Sequence, residues 1–291
     1  MTPPSGRNWF VKSHALGNDY IVLDPAALDF ALTPQAIRRL CDRHVGVGSD
    51  GILALAPAAR ADFGLRIYNP DGSEAEKSGN GLRIFAKFLY EHGYATQTTF
   101  TVETPGGPAG ITLHLAGGRV DRMTVDIGRA TFWSPDIPVA GPPRDVVDEV
   151  IDVAGRPLAI TAVSVGNPHC VAFVPDLALV DLHRLGPLLE THPLFPRRTN
   201  VQFAQVVSRD RVRILIWERG AGETMASGTS ASAVAAAAVR QGLTDRQVTV
   251  SAPGGDLMLA VAENWGIRMT GPAEEVYAGT LSPDLVAALA R

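Results

Sequence analysis

The sequence is poor in the features on which membrane-spanning, secreted and nucleic-acid-binding proteins depend. It holds two cysteines in 291 residues, and 19% of its residues are charged, with a formal net charge of −4 at pH 7. A chain without a basic excess has no electrostatic footprint for nucleic acid or for an anionic membrane surface. Its apolar runs, of which residues 231–239 are an example, fall short of the roughly 18 residues that a membrane span needs. We therefore expect neither nucleic acid nor a membrane as a partner.

The two cysteines give little reason to expect a disulfide. Cys41 shares the apolar side of a predicted helix with Ile37 and Leu40, and Cys170 lies in an apolar, strand-like run. Two small buried hydrophobic residues in a reducing cytosol are the simplest interpretation. A disulfide or a catalytic pair is the alternative.

Targeting, metal-binding and nucleotide-binding patterns are also missing. Residues 1–10 show no positive region followed by an apolar one, so we expect no signal peptide and a cytoplasmic location. Neither a close pair of histidines nor a Cys/His group at metal-ligand spacing occurs, so no metal site is expected. The glycine-rich residues 46–51 lack the strand-then-helix context of a dinucleotide-binding loop.

The sequence does contain a near repeat of its own first half. The matching pairs, offset by 148 or 149 residues, are Gly17-Asn18 with Gly166-Asn167, Ser78-Gly79 with Ser227-Gly228, Gly93 with Gly242, and residues 101–107 with 249–255. Four matches in nearly one register indicate two copies of one structural unit. A pseudo-twofold axis would bring the same loop from each copy to a shared cleft. Such a cleft suits a reaction that needs a similar group on each face of one carbon.

Each half is predicted to contain strands around one helix. The helices begin near Gly81 and Ala231 and end before Gly93 and Gly242, which suit the position just beyond a helix. The second helix is apolar nearly all round, so we expect it to be buried inside a sheet. The expected strands are residues 65–68, 111–115, 123–127, 160–165, 170–174, 212–217 and 258–261, and residues 133–144 are an expected loop. The fold class is α+β, with two domains of about 150 residues, at 1–121 with 273–291 and at 122–272.

Both predicted helices begin with Ser-Gly, followed by a polar or small residue. The first turn of a helix leaves free N–H groups and a positive dipole end. Two such ends facing one cleft would hold a carboxylate or a phosphate, and the glycines permit close approach of the backbone. Plain capping by Ser78 and Ser227 is the simpler alternative, but the duplication favours a functional role. His14 and His169, beside the Gly-Asn pairs, are as readily structural as functional.

These motifs resemble those of the diaminopimelate epimerases, which are cofactor-independent amino-acid epimerases, and the resemblance covers nearly the whole chain. The matching segments are His14-Ala15-Leu16-Gly17-Asn18-Asp19-Tyr20, Asn69-x-Asp71-Gly72-Ser73, Gly79-Asn80-Gly81, Gly166-Asn167-Pro168-His169, Asn200, Glu218-Arg219-Gly220-x-Gly222-Glu223-Thr224 and Gly228-Thr229. The resemblance implies two pseudo-symmetric domains, each a curled, mainly antiparallel sheet around a central helix. It also implies a small amino acid as substrate, no pyridoxal phosphate or other cofactor, and a homodimer as one expectation.

The resemblance also implies roles for individual residues. The residues that would hold the distal amino-acid end of diaminopimelate, which we call the distal clamp, are Asn69, Asn167, Asn200, Glu218 and Arg219. Asn18 and Asn80 would line the reacting end, whose carboxylate would lie on the helix starts near Gly79, Asn80, Gly228 and Thr229. Arginine suits a bidentate grip on a carboxylate.

The departure from the family lies at Ser78 and Ser227, where the resemblance implies two cysteines that remove and return the α-proton. A serine hydroxyl is much harder to ionise than a thiol, whose ordinary pKa is about 8.5. Serine normally needs a base beside it, and Lys77 and Glu223 are candidates. The expected reaction is the interconversion of L,L- and meso-diaminopimelate, a precursor of lysine and peptidoglycan, with Ser78 and Ser227 as the catalytic pair.

Three alternatives remain open. One is another isomerase on the same fold that uses Lys77 or Glu223. A second is a binder that kept the distal clamp and lost the acid–base pair. The third is a deliberate pair of Cys→Ser substitutions made to trap substrate. Lys77 argues against it, because the resemblance implies an apolar residue at that position and trapping needs no change there.

Overall fold

The computed structural model describes residues 6–290, and these contain five α-helices and eighteen β-strands. Residues 1–5 and 291 lie outside the described part, so the expectation about a signal peptide falls partly beyond it, as do both ends of the predicted first domain. The helices are α1 (Pro34–Cys41), α2 (Gly79–Glu91), α3 (Leu182–Glu190), α4 (Gly228–Arg240) and α5 (Pro283–Leu289).

The strands are β1 (Trp9–Ala15), β2 (Asn18–Leu23), β3 (Ile52–Ala56), β4 (Phe63–Tyr68), β5 (Glu74–Ala75), β6 (Thr99–Thr104), β7 (Gly107–Ala116), β8 (Arg119–Arg129), β9 (Glu149–Val153), β10 (Arg156–Ser164), β11 (Pro168–Phe173), β12 (Asn200–Ser208), β13 (Arg211–Glu218), β14 (Gly222–Glu223), β15 (Gln247–Ala252), β16 (Gly255–Val261), β17 (Gly266–Gly271) and β18 (Glu274–Thr280). They belong to two compact units, Met1–Val125 with Gly271–Arg291 and Asp126–Thr270. Within the described residues, no helix combines the length and the apolar character that crossing a membrane requires.

The first unit contains a mostly antiparallel sheet in the order β18-β1-β2-β3-β4-β6-β7-β8, with the short β5 beside β4. Two of its pairs, β2 with β3 and β4 with β6, are parallel. Alternate side chains face opposite sides of a strand. One face of the central strands therefore packs with α1 and α5, through residues such as Ile21 and Ile37. Helix α2 contacts β1, β2 and β7 and is buried along nearly its whole length.

The second unit repeats this order as β9-β10-β11-β12-β13-β15-β16-β17, with β14 beside β13. Its parallel pairs, β11 with β12 and β13 with β15, occupy the places equivalent to those of the first unit. Helix α4 contacts β10, β11, β12, β13, β15 and β16, so the sheet curls around it. Residues 230–238 of α4 are all buried, as the apolar sequence predicted. Helix α3 packs on the outer side, through Leu182 and Leu189.

The structure confirms the α+β fold class and the duplicated pattern of strands around a helix. Each expected strand coincides with an observed one, although the expected 160–165 and 170–174 each run one residue past the observed end. Gly93 and Gly242 have φ values of +78° and +70° just after the helix ends. The helices begin at Gly79 and Gly228, two to three residues earlier than predicted, because the polar and small residues of the first turn give no apolar periodicity. The expected loop at 133–144 contains a short 3-10 turn at Ser134–Asp136.

Candidate active site: two capped helix starts

Ser78 caps the amino terminus of α2. Its backbone is extended, with φ −139° and ψ 120°, and its Oγ accepts a hydrogen bond from the Gly81 N–H at 3.0 Å. The Tyr20 hydroxyl lies 3.4 Å from the same Oγ. A Cβ at Gly81 would lie 2.9 Å from Leu53 Cδ2 and 3.2 Å from Ser78 Oγ, so the glycine packs closely under the cap. The Ser78 oxygen is therefore fixed at the positive end of the helix dipole.

A directional chain of hydrogen bonds joins Asn18 and Asn80 beside this helix start. The fully buried Arg83 donates to Asn80 Oδ1 at 2.9 Å, Asn80 Nδ2 donates to Asn18 Oδ1 at 3.1 Å, and Asn18 Nδ2 donates to Asp50 Oδ2 at 3.0 Å. A guanidinium only donates and a carboxylate only accepts. The orientations of both amides are therefore set by the two ends of the chain. Burial lowers the pKa of Arg83 to about 9, which still leaves it charged at neutral pH.

The other predicted residues of the first unit lie in the adjoining turns. Asn69 follows β4, and its Nδ2 donates to Ser73 Oγ at 3.0 Å within its own turn. Gly79 is buried at the first position of α2. Lys77 is partly buried and lies against Gly106, where an added Cβ would be 3.2 Å from the Lys77 Cβ.

Ser227 caps α4 with nearly the same backbone, φ −142° and ψ 123°, but with different neighbours. Its Oγ accepts a long hydrogen bond of 3.5 Å from the Ser230 N–H and lies 3.4 Å from Thr229 Oγ1. The Ser227 hydroxyl donates to Glu218 Oε2 at 3.4 Å. Ser227 itself is 7% exposed, and Gly228, the first residue of α4, is buried. The second serine thus touches a carboxylate, whereas the first lies beside a phenol.

Glu218 is placed to act on Ser227. Burial raises the pKa of its carboxyl group, although hydrogen bonds from Thr224 and Ser227 to the carboxylate oppose that effect. The Thr224 hydroxyl donates to Glu218 Oε1 at 2.8 Å, which turns Oε2 towards Ser227. A carboxylate whose pKa is shifted towards neutral pH is a more effective general base. Glu223, the activator suggested by the sequence, is 47% exposed at its side chain and lies 3.0 Å from His183 instead.

The remaining clamp residues of the second unit surround the turn after β13. Asn200 Oδ1 accepts from the Arg219 backbone N–H at 3.0 Å, and its Nδ2 donates to the Pro168 carbonyl at 2.9 Å. The Arg219 side chain is exposed, and its guanidinium donates to the Arg197 carbonyl at 3.1 Å. Asn167 Oδ1 lies 2.9 Å from His169 Nε2.

The sequence is similar to one known protein family and to named proteins over most of its length. The sequence model described as diaminopimelate epimerase matches residues 10–133 and 161–276. A protein named diaminopimelate epimerase 2 from Nostoc sp. is 47% identical over 280 residues, which cover 96% of this chain and 97% of that protein. A diaminopimelate epimerase from Pelotomaculum thermopropionicum is also 47% identical, over 93% of this chain and 97% of its own. The chain belongs to the diaminopimelate epimerase family.

The fold is also similar to that of solved structures whose sequences differ widely from this one. A probable proline racemase from Agrobacterium radiobacter superposes with a TM-score of 0.70 at 15% identity, covering 97% of this chain and 98% of that one. A hydroxyproline epimerase from Agrobacterium vitis also gives a TM-score of 0.70, at 17% identity, covering 95% of this chain and 92% of that one. At such identities the likeness shows the fold alone.

Two histidines and both cysteines singled out in the sequence differ in burial. His169 is fully buried, and burial lowers its pKa to about 3, so the ring is neutral at physiological pH. His14 is partly exposed, 3.7 Å from Glu274. Cys41 and Cys170 are both buried and unpaired by a disulfide, and burial raises the pKa of both thiols, that of Cys170 to about 12. Neither cysteine offers a thiolate at neutral pH.

Three neighbours of the site were missed by sequence reasoning. Tyr20 stands in the opening family motif, but nothing in its spacing indicates a contact with Ser78, 58 residues away. Glu218 was assigned to the distal clamp alone, and its contact with Ser227 depends on a turn that returns the chain to the start of α4. Glu190, which contacts the turn carrying Arg219, belongs to no motif recognised in the sequence. In residues 6–290, no group of three or more His, Cys, Asp or Glu side chains is placed to hold a metal ion.

Proposed function

We propose that this protein interconverts L,L- and meso-diaminopimelate by removing and returning an α-proton, without pyridoxal phosphate. The observation that carries the proposal is the 47% identity, over nearly the whole chain, to proteins named diaminopimelate epimerase. The two serine-capped helix starts support it, because each places a proton-bearing side chain beside free N–H groups of a first helical turn.

Ser227 and Glu218 form one half of the proposed acid–base machinery. Ser227 Oγ removes the α-proton while its own proton passes to Glu218 Oε2, along the 3.4 Å contact between them. The electron pair of the broken C–H bond remains on the α-carbon and spreads into the substrate carboxylate. Helix N-terminal N–H groups stabilise that developing charge. Glu218 thus supplies the base that a serine needs.

Ser78 is the proposed partner that serves the opposite face of the α-carbon. Its hydroxyl delivers a proton to the carbanion, and the Tyr20 hydroxyl, 3.4 Å away, restores the proton to Ser78. Tyr20 regains its proton from solvent and Glu218 releases to solvent the proton that it accepted, and the reverse reaction runs the same steps backwards. Lys77 is the neighbouring residue in sequence and remains an alternative source of this proton.

Recognition of the substrate is proposed to divide between its two ends. The reacting carboxylate lies on the helix starts at Gly79, Asn80, Gly228 and Thr229, with Asn18 beside it. The distal clamp holds the second amino-acid end, and the exposed guanidinium of Arg219 is available for a bidentate contact with the second carboxylate.

Proton NMR of L,L-diaminopimelate in D2O tests the proposal directly. Loss of the α-proton signal in the presence of the protein, followed by appearance of the meso isomer, is the expected result. Binding without exchange would instead support a ligand binder that has lost the reaction. A homodimer and a cytoplasmic location remain predictions, of which the first is tested by sedimentation velocity.

A further inference from the structure

A buried carboxylate lies behind the turn that carries two residues of the distal clamp. Glu190 is the last residue of α3 and is 4% exposed. Its Oε1 accepts from the Gly220 backbone N–H at 2.8 Å and also contacts the Arg198 guanidinium. Its Oε2 accepts from the Trp217 indole Nε1–H at 2.8 Å. Both oxygens of this carboxylate are therefore used within the protein.

Two of these donors, Trp217 and Gly220, lie on either side of Glu218 and Arg219 in the sequence. The Ala221 N–H donates to the Glu218 carbonyl at 3.1 Å, which makes residues 218–221 a tight turn, and Gly220 has a φ of +80°. The N–H of a central turn residue has no partner within the turn itself. Glu190 satisfies that N–H and so holds the middle of the turn in place.

Trp217 holds the other side of the turn against α3. A Cβ at Gly186 would be 2.6 Å from Trp217 Cδ2, so the ring lies directly on the backbone of α3. His183, from the same helix, packs edge-on at 5.8 Å between ring centroids. With the indole N–H bonded to Glu190, the ring cannot rotate without losing a buried hydrogen bond. Such a loss is costly in a desolvated setting.

We propose that Glu190 is a positioning residue for Glu218 and Arg219, and that it thereby sets the preference of the protein for a substrate with a second carboxylate. This role rests on the proposed function. A carboxylate accepts at both oxygens, which the three donors here require. A glutamine of the same size would turn an NH2 group towards the Trp217 N–H, or towards Gly220 and Arg198, and would push the turn away.

The test compares Glu190→Gln with a matched control, Glu149→Gln. Glu149 pairs with Arg144 at 2.7 Å in the same unit and contacts no residue of the distal clamp, so its loss removes an ion pair without moving the turn. Calorimetry measures the dissociation constants of diaminopimelate and of lysine, which lacks the second carboxylate. We expect Glu190→Gln to weaken diaminopimelate binding by about tenfold to a hundredfold, the scale of one hydrogen bond lost to a charged group. Lysine binding should change little, and Glu149→Gln should leave the ratio of the two constants unchanged.

The outcomes separate the role of Glu190 from the proposed substrate. A parent protein that shows no preference for diaminopimelate over lysine overturns the proposed substrate and this role with it. A preference that survives intact in a folded Glu190→Gln protein, or a parallel loss of both ligands, overturns the role of Glu190 alone. Should Glu190→Gln fail to fold, Trp217→Phe removes one donor and keeps a ring over Gly186. It should then shift the same ratio, by a smaller factor, and an unchanged ratio contradicts the proposal.

Discussion

Replacing both capping serines by cysteine tests whether the two helix starts form the acid–base pair. The double variant Ser78→Cys with Ser227→Cys changes one atom at each position and leaves the helix caps, the glycines of the first turns and the distal clamp in place. If the serines occupy the proton-transfer positions, the variant should exchange the α-proton of diaminopimelate faster than the parent does.

The expected gain in exchange rate follows from the pKa of a thiol at the N-terminus of a helix. A thiol has an ordinary pKa of about 8.5, and a partly buried helix N-terminus stabilises an anion by about 1–2 kcal/mol. At about 1.36 kcal/mol for each pKa unit, the thiol pKa falls to about 7–8. A cysteine is then largely a thiolate at pH 8, whereas a hydroxyl shifted by the same amount stays protonated. A well-placed general base is worth about 10²–10⁴-fold, which is the gain we expect.

The two positions should not respond equally. Ser78 receives a 3.0 Å hydrogen bond from Gly81, whereas Ser227 receives a 3.5 Å bond from Ser230 and faces the Glu218 carboxylate. A carboxylate disfavours a neighbouring thiolate. We therefore expect a cysteine at position 78 to ionise first and to be alkylated faster by iodoacetamide than one at position 227. Each single variant should gain much less exchange than the double variant, since inversion needs a group on each face.

Deuterium uptake at the α-carbon, followed by proton NMR in D2O at pH 8, is the assay. The control is the Ser78→Ala with Ser227→Ala protein, which should lose exchange and whose fold is checked by circular dichroism. No gain in a folded double-cysteine protein would refute the assignment of the two serines. If Lys77→Met or Glu223→Gln then abolished the native reaction, the protein would be an isomerase that uses those residues instead of the two serines.

Three further results are expected. Replacing Arg219 by alanine should weaken diaminopimelate binding by roughly 2–5 kcal/mol if the charge pair becomes buried in the complex, and calorimetry showing an equal effect on lysine would contradict its place in the distal clamp. Activity should survive iodoacetamide because Cys41 and Cys170 are buried with raised pKa values, so inactivation of a protein with an unchanged circular dichroism spectrum would make one of them catalytic. Glu218→Gln should raise the melting temperature at pH 7, because burial raises the pKa of Glu218 and ionising it costs stability as pH rises through that value. The gain should vanish below the ordinary carboxyl pKa, and a gain that persists there would contradict the raised value.

The sequence was sufficient for those parts of the fold that depend on local pattern and on repetition. The apolar spacing from Gly81 and from Ala231, with Gly93 and Gly242 as end markers, located both helices within three residues of their observed starts. The near repeat of the first half showed that the two units share one architecture. The buried character of α4 followed from its nearly continuous alanine and valine content. Each of these features involves neighbours in sequence or a whole segment that recurs.

The unpredicted contacts join distant residues in ways that no spacing reveals. Glu190 lies 27 residues from Trp217, and Tyr20 lies 58 residues from Ser78. Both contacts join the end of a helix to a strand, so they depend on where each helix packs against its sheet. The contact between Glu218 and Ser227 spans nine residues, but it requires the turn at Gly220 and the short strand β14 to reverse the chain. A pattern of residue types does not give that geometry.

The duplication explains why the two serines have the same backbone setting and yet differ chemically. The repeat fixes what the main chain supplies: a capping residue with nearly identical dihedral angles and a glycine at the first helical position. The repeat does not determine which side chains from other elements lie beside the two serines. Tyr20 lies beside Ser78, whereas Glu218 lies beside Ser227. A phenol donates a proton more readily than it accepts one at neutral pH, whereas a carboxylate accepts one. In the proposed epimerisation, this difference would let the Ser227 side accept the α-proton and the Ser78 side supply one in one direction, with the roles exchanged in the other. The repeated backbone alone provides no such difference between the two helix starts.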